Sequence, residues 1–309
     1  MLPRIVTYEE AAGRVSWPQA VEALRAGHLL PRAQITDMLV GPPDATLLSR
    51  AAFIEGLGYG MKSVTVFDRN AAQDLPTVQG AMLVFEPSHG ALEAIVDSRL
   101  VTELKTAADS VLGALCLARE DSAHLLVVGA GAVARSLVDA YHALFPALRL
   151  VSVWARRREQ ADALARSFAE AAVPVRAVTS LAEAAGEADI VACATMARQP
   201  VLHGAWIRPG THVDLVGAYK EDMREADDAL ISVGALFVDS RETTVHHIGE
   251  LTIPIASGVI SHTSVRGDLY DLVQGTAGRR TRSEITVYKN GGGAHLDLML
   301  ARCISETTG

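Results

Sequence analysis

The chain has 309 residues, 49% of them hydrophobic and 21% charged, with a formal net charge of −8. That length suffices for two domains with sizeable cores, and the acidic balance argues against a polyanion such as nucleic acid as a partner. Three cysteines, Cys116, Cys193 and Cys303, are too few and too dispersed for a disulfide frame. Each lies in an apolar segment, so buried free thiols in a reducing compartment are expected. No signal-peptide pattern opens the chain and no apolar run is long enough to cross a bilayer, so the expectation is a cytoplasmic enzyme without membrane contact.

In chain order, Thr7-x-x-Glu10 and Ser16-x-x-Gln19 fit capping boxes, the second with Pro18 in its first turn. Gly27 suits the stop of that helix. Short strands are predicted at Gln34–Leu39, Thr46–Leu48, Lys62–Phe67, Ala81–Glu86 and Leu92–Val96. Asn70, Asp74, Pro76, Pro87, His89 and Gly90 punctuate them as turns. From Val101 to Arg119 an Ala- and Leu-rich pattern turns helical.

Residues 125–158 carry the most information. The apolar run Leu125–Val128 breaks into Gly129-Ala130-Gly131-Ala132-Val133-Ala134, a helix-period segment follows to Leu144, and a second apolar run, Leu150–Trp154, ends in Ala155-Arg156-Arg157-Arg158. Strand, glycine turn, helix and strand in this order form a dinucleotide-binding unit. Gly129 permits the tight turn, Gly131 lets backbone approach a pyrophosphate, and Ala134 lets the helix pack close to the strand. The amides of the new helix, including Ala132 and Val133, then face phosphate. An NAD-preferring chain usually carries Asp or Glu about 20 residues beyond the turn; here no carboxylate comes before Glu159. Arg156 and Arg157 suit a ribose 2′-phosphate, which favours NADP(H) and leaves NAD(H) open.

Further strands at Val175–Val178, Ile190–Ala194, Thr211–Val216 and Gly234–Asp239 continue the βα alternation, with Ser180-x-x-Glu183 capping a helix between the first two. A doubly wound parallel sheet binds ligand off the carboxyl ends of its strands, which places Thr195, Gly217 and Tyr219 at the lip. Gly234–Asp239 reads as the last clear parallel strand; Glu284–Tyr288 is strand-like, and a glycine turn at 290–293 leads into an apolar helix from Ala294 to Ser305.

Taken together these segments resemble the ornithine cyclodeaminase / mu-crystallin family over nearly the whole chain. The resemblance is carried by Gly60-x-Lys62-x-Val64-Thr65-Val66-Phe67, Ala94-Ile95-Val96-Asp97, Thr102-x-x-Lys105-Thr106-Ala107-Ala108, the Gly129 turn, Pro209-Gly210-Thr211-His212, Gly217-Ala218, Arg224-Glu225, Val238-Asp239-Ser240, Gly249-Glu250, Glu284–Lys289 and Asp297. It implies an α/β fold in which a Rossmann-type doubly wound parallel sheet is inserted in a second, mixed α+β domain. Residues 1–119 with 290–309 would bind substrate and form a homodimer, and 120–289 would bind the nicotinamide cofactor.

The resemblance also implies three cations for the carboxylate of an α-amino or α-imino acid. Arg32 matches the first by position, Lys62 the second, and Lys105 stands where the family normally has arginine. Lysine there keeps the charge and loses the bidentate fork. Cyclodeaminases of the family carry a catalytic Asp after the fifth strand, and this chain has Tyr219. A phenol is a poor replacement for a carboxylate near neutral pH, so Tyr219 is expected to orient the substrate or stack near the nicotinamide. The cyclodeaminases' further amine-binding carboxylate falls near Leu47, and Ser49-Arg50 replaces the usual Met-Pro. Imine reduction, with Lys62 keeping the imine nitrogen protonated, is therefore expected over conversion of ornithine to proline and ammonia. A non-catalytic protein that binds NADPH or a small ligand is the third reading. His246-His247-x-x-Glu250 lacks a helical His pair or a third ligand, so no metal site is expected.

Overall fold

A computed structural model describes residues 2–73 and 75–308, so the turn expected at Asp74 lies outside the described residues. The chain divides into two compact units, one of residues 1–108 and 293–309 and one of residues 109–292.

The first unit holds strands β1 (Arg4–Val6), β2 (Gln34–Val40), β3 (Ala45–Ile54), β4 (Gly58–Phe67), β5 (Val78–Phe85) and β6 (Leu92–Asp97). They form one sheet in the order β1-β6-β5-β4-β3-β2, antiparallel except where β1 meets β6. Its helices are α1 (Tyr8–Ala11), α2 (Trp17–Leu29) and the start of α3 (Ser98–Leu117). Both capping boxes form: Thr7 and Ser16 accept from the backbones of Glu10 and Gln19, whose side chains reach back. β3 and β4 run well past the predicted Thr46–Leu48 and Lys62–Phe67, because alternate burial continues through Ile54 and back to Gly58.

Gly27 does not stop α2, which continues to Leu29. Its role is a close approach: a Cβ there would strike the Met299 side chain. Met299 belongs to the C-terminal helix Ala294–Thr308, nearly all of whose residues are buried against the sheet and α2. A helix covered all round needs small residues where its neighbours come closest.

The second unit holds β7 (His124–Val128), β8 (Leu150–Trp154), β9 (Val175–Ala177), β10 (Ile190–Cys193), β11 (His212–Leu215), β12 (Ala235–Val238), β13 (Val265–Gly267) and β14 (Thr286–Lys289). All eight are parallel, in the order β13-β12-β14-β11-β10-β7-β8-β9. Gly234–Asp239 is therefore not the last parallel strand, since β14 threads between β11 and β12. Helices α4 (Ala132–Leu144), α5 (Arg158–Arg166), α6 (Leu181–Glu187), α7 (Asp228–Val233), α8 (Arg241–Thr244), α9 (Gly249–Ala256) and α10 (Leu269–Val273) connect the strands; the C-terminal helix is α11. Val128, Val191, Cys193 and Leu215 pack with Leu181 of α6 and Leu230 of α7, while the intervening Leu125, Val127 and Ala192 are equally buried. A sheet covered on both faces explains the near-continuous apolar runs in the sequence. Of the three thiols only Cys193 is fully buried; Cys116 and Cys303 are half-buried. No described helix is long and apolar enough to cross a membrane.

Substituting Gly27→Val should force Met299 off its packing and cost roughly 1–3 kcal/mol, read as a lower urea midpoint at unchanged slope.

Candidate active site

In the second unit the strand order reverses between β7 and β10, which is where an open α/β sheet receives ligand. Gly129 leaves β7 with φ +126°, and a Cβ there would lie 2.5 Å from the Ala194 carbonyl at the end of β10. Glycine is thus required twice over, by conformation and by contact. Gly131 caps α4 with no side-chain hydrogen bond, and a Cβ on it would meet only open space. Ala132 and Val133 are exposed in the first turn while Ala134 is buried. The helix amides are therefore presented where a pyrophosphate would bind, and the residues present fit a dinucleotide.

Beside them lies a shallow cavity of about 370 Å³ lined by Gly131, Arg135, Gln160 and Ser167 among others. Arg135 was not singled out from the sequence; its guanidinium donates to Ser167 Oγ at 2.8 Å and covers the Phe168 ring. Arg158 pairs with Asp162 one turn along α5. Arg156 and Arg157 are exposed at the end of β8.

The lip is fastened by a residue known from the sequence only as part of the resemblance. Glu225 is fully buried; its Oε1 accepts from the Thr195 amide and hydroxyl, both at 2.7 Å, and its Oε2 from the Gly217 amide at 2.7 Å. A Cβ on Gly217 would collide with the Thr195 backbone. Glu250 in turn accepts from the Glu225 and Ala226 amides at 2.7 and 2.9 Å. Burial, with Glu225 close by, pushes the Glu250 carboxyl up to about 7, and Glu225 is raised by its own burial. Glu250 is thus a structural acceptor, while the His246 ring lies tilted against that of His262, 4.7 Å between centres. Among the described residues no group of three or more metal-type side chains converges. Tyr219 is 50% exposed on the loop after β11, with the Lys220 ammonium 5.5 Å from its ring centre.

The first unit builds a cationic cluster. Lys62, on β4, donates to Asp297 Oδ1 of α11 at 2.7 Å; Lys62 is 6% exposed and Asp297 wholly buried. Burial lowers the Lys62 ammonium below the ordinary lysine range, aided by Lys105 and Arg50 and opposed by Asp297. For Asp297 burial acts upward, but Lys62, Lys105 and Arg50 outweigh it and hold the carboxyl below its usual value. Among the described residues its second oxygen, Oδ2, has no hydrogen-bond partner. Lys105 is buried on α3. Arg32 is exposed in the segment between α2 and β2. Sequence reasoning missed Arg50 and gave Asp297 no role; the 235 residues that separate Asp297 from Lys62 leave no local signal of their pairing.

A doubly wound sheet with a phosphate turn at its switch point, in a chain that also carries a buried cationic cluster, defines a nucleotide-dependent oxidoreductase of small carboxylates. The chain belongs to the ornithine cyclodeaminase/mu-crystallin family, whose profile matches residues 51–308. It is 64% identical to a Delta(1)-pyrroline-2-carboxylate reductase of Paracoccus denitrificans over 98% of this chain and 96% of that one. Among solved structures it resembles Thermococcus litoralis Delta(1)-pyrroline-2-carboxylate reductase in complex with NADH and L-proline (27% identity, TM-score 0.92, 98% and 97% covered). It also resembles the iminosuccinate reductase of Paracoccus denitrificans in complex with NAD+ (27% identity, TM-score 0.91, 99% and 96% covered).

Asp214, fully buried on β11, supplies a test of the second unit's electrostatics. Burial, with Glu225 and Asp239 adding to it, pushes its carboxyl up to about 7. An unfolded aspartate titrates near ~3.9, so between about pH 4 and 7 the folded chain holds the extra proton and stability falls as pH rises. Asp214→Asn cannot ionise. It should gain roughly 1–3 kcal/mol relative to the parent between pH 5 and pH 8 in urea unfolding, with no further change above that.

Proposed function

We infer that this protein reduces an α-imino acid of the pyrroline-2-carboxylate type to the amino acid, by hydride transfer from a nicotinamide cofactor. The observation that carries this reading is the buried Lys62–Asp297 pair with the Lys105 charge acting on it, a cationic cluster in a chain so similar to a pyrroline-2-carboxylate reductase. The cofactor supplies the hydride when bound; Gly129, Gly131, Ala132, Val133 and Ala134 would hold its pyrophosphate, with Thr195 and Gly217 along its channel. Lys62 and Lys105 hold the substrate carboxylate, with Arg32 as a further cation from its loop. Fixing that group makes transfer effectively unimolecular. Lys62 keeps the imine nitrogen protonated, which makes the adjacent carbon electron-poor, and Asp297 Oδ2 is an acceptor suited to the N–H so formed. Tyr219, where cyclodeaminases carry Asp, orients the substrate and leaves no carboxylate to assist loss of ammonia.

Absorbance at 340 nm should fall when NADPH or NADH is mixed with Δ1-pyrroline-2-carboxylate, while ornithine with NAD should give no proline. Lys62→Met should lower kcat/KM about 100-fold or more. Proline and ammonia from ornithine would overturn the reductase reading; cofactor binding with no turnover of any imine would favour the ligand-binding protein.

NADP(H) is proposed as the preferred cofactor because Arg156 and Arg157 project from the end of β8 with no carboxylate nearby in the strand. Arg156→Ser and Arg157→Ser should each raise the KM for NADPH about tenfold and leave that for NADH within twofold. We also propose that residues 1–119 with 290–309 act as the substrate-binding and dimerisation domain and 120–289 as the cofactor domain. Support for a homodimer comes from the outer face of the first sheet, where Phe53 stacks on Tyr59 and Tyr59 and Phe67 remain substantially exposed.

A further inference from the structure

The family's usual Arg-Thr-Ala-Ala has become Lys105-Thr106-Ala107-Ala108, so the chain lacks a guanidinium fork at that position of α3. A guanidinium stands elsewhere in the cluster. On the sheet, Arg50 of β3 lies directly opposite Lys62 of β4, and Asp37 of β2 directly opposite Arg50. Directly opposed residues share a face, with Cβ atoms about 4.5–5.5 Å apart. Asp37, Arg50 and Lys62 therefore form a row across three strands, on the face that meets Asp297 of α11. Asp37 grips the Arg50 guanidinium by one edge, Nε to Oδ1 at 3.2 Å and Nη2 to Oδ2 at 2.6 Å. That contact uses two of five donors and fixes the plane of the group. The Arg50 side chain is only 15% exposed, and its charge acts on both Lys62 and Asp297.

We propose that Arg50 is a substrate-carboxylate receptor, supplying from β3 the planar fork that Lys105 cannot supply from α3, with Asp37 as its positioning residue. Lys62, Lys105 and Arg50 all act on the one buried carboxylate of Asp297, so the cluster is predominantly cationic and suits a substrate carboxylate. This proposal rests on the reductase reading for its substrate and on the sheet geometry for its site.

The test combines kinetics with melting. With Δ1-pyrroline-2-carboxylate at saturating NADPH, Arg50→Gln should raise KM about tenfold or more, Arg50→Lys by less, and Asp37→Asn a few-fold, with kcat changing less than KM in each. Pyrrole-2-carboxylate, a planar carboxylate probe, should raise the melting temperature of the parent in the presence of NADPH and fail to do so for Arg50→Gln. A KM within twofold of the parent together with an undiminished melting shift in Arg50→Gln overturns the proposal, including the case where the variant is merely less stable. If the parent consumes no NADPH with any imine yet shows an Arg50-dependent shift, the reductase reading fails while the receptor stands. No shift and no turnover in the parent overturn both.

Discussion

The ion pair between Lys62 and Asp297 is the constraint around which the first unit is organised. Its partners come from the two separate segments of that unit's sequence, one on a central strand and one on the last helix, and both are removed from water. Burying two charges recovers little net energy, and removing either one alone leaves an unpaired charge that costs about 3–5 kcal/mol. Such a pair is weak as glue and strong as a register mark: α11 has one seating on the sheet in which Asp297 meets Lys62. Lys105 and Arg50 bias the same carboxylate toward its ionised form, so the site's electrostatics and the helix's placement depend on the same atoms.

The second unit uses acceptors differently. Glu225 ties the loops that leave β10 and β11 by three hydrogen bonds, and Glu250 supports Glu225 through its backbone. These carboxylates serve as fixed acceptors for backbone amides in the segments beyond the strands, which would otherwise depend on weaker partners such as the 3.3 Å bond from Gly217 to the Cys193 carbonyl. Gly129 lets the Ala194 carbonyl, and Gly217 the Thr195 backbone, come closer than a Cβ would allow, so the lip is closely packed.

Much of this was legible in the sequence, and the division follows range. Periodicity and capping residues located most strands and both early helices, because those signals are local. The Gly129 turn was legible because its spacing reports a single supersecondary unit, and Lys62 and Lys105 because a family resemblance singled them out. What periodicity cannot report is which distant segments touch. Gly27 reads as a helix stop until Met299 is seen against it. Arg50 reads as a departure from family pattern until strand register sets it between Asp37 and Lys62. Glu225 finds Thr195 across 30 residues and Asp297 finds Lys62 across 235. Tyr219 is legible only by its motif position, and it stands half exposed on its loop with Lys220 against its ring.

The place of β14 has a consequence for how the chain is made. It is the last strand in sequence, yet it fills a gap between β11 and β12 in the middle of its sheet. In the first unit α11, later still, covers a sheet whose strands all precede residue 98. Neither core can close until β14 and α11, made nearly 200 residues after the last strand of the first sheet, have left the ribosome, which at ~5–20 residues per second means many seconds with apolar strands uncovered. Parallel pairing between segments so far apart is also slow to find. A stop codon ahead of β14 would therefore leave the second sheet without a central strand and the first without its covering helix, two injuries from one truncation.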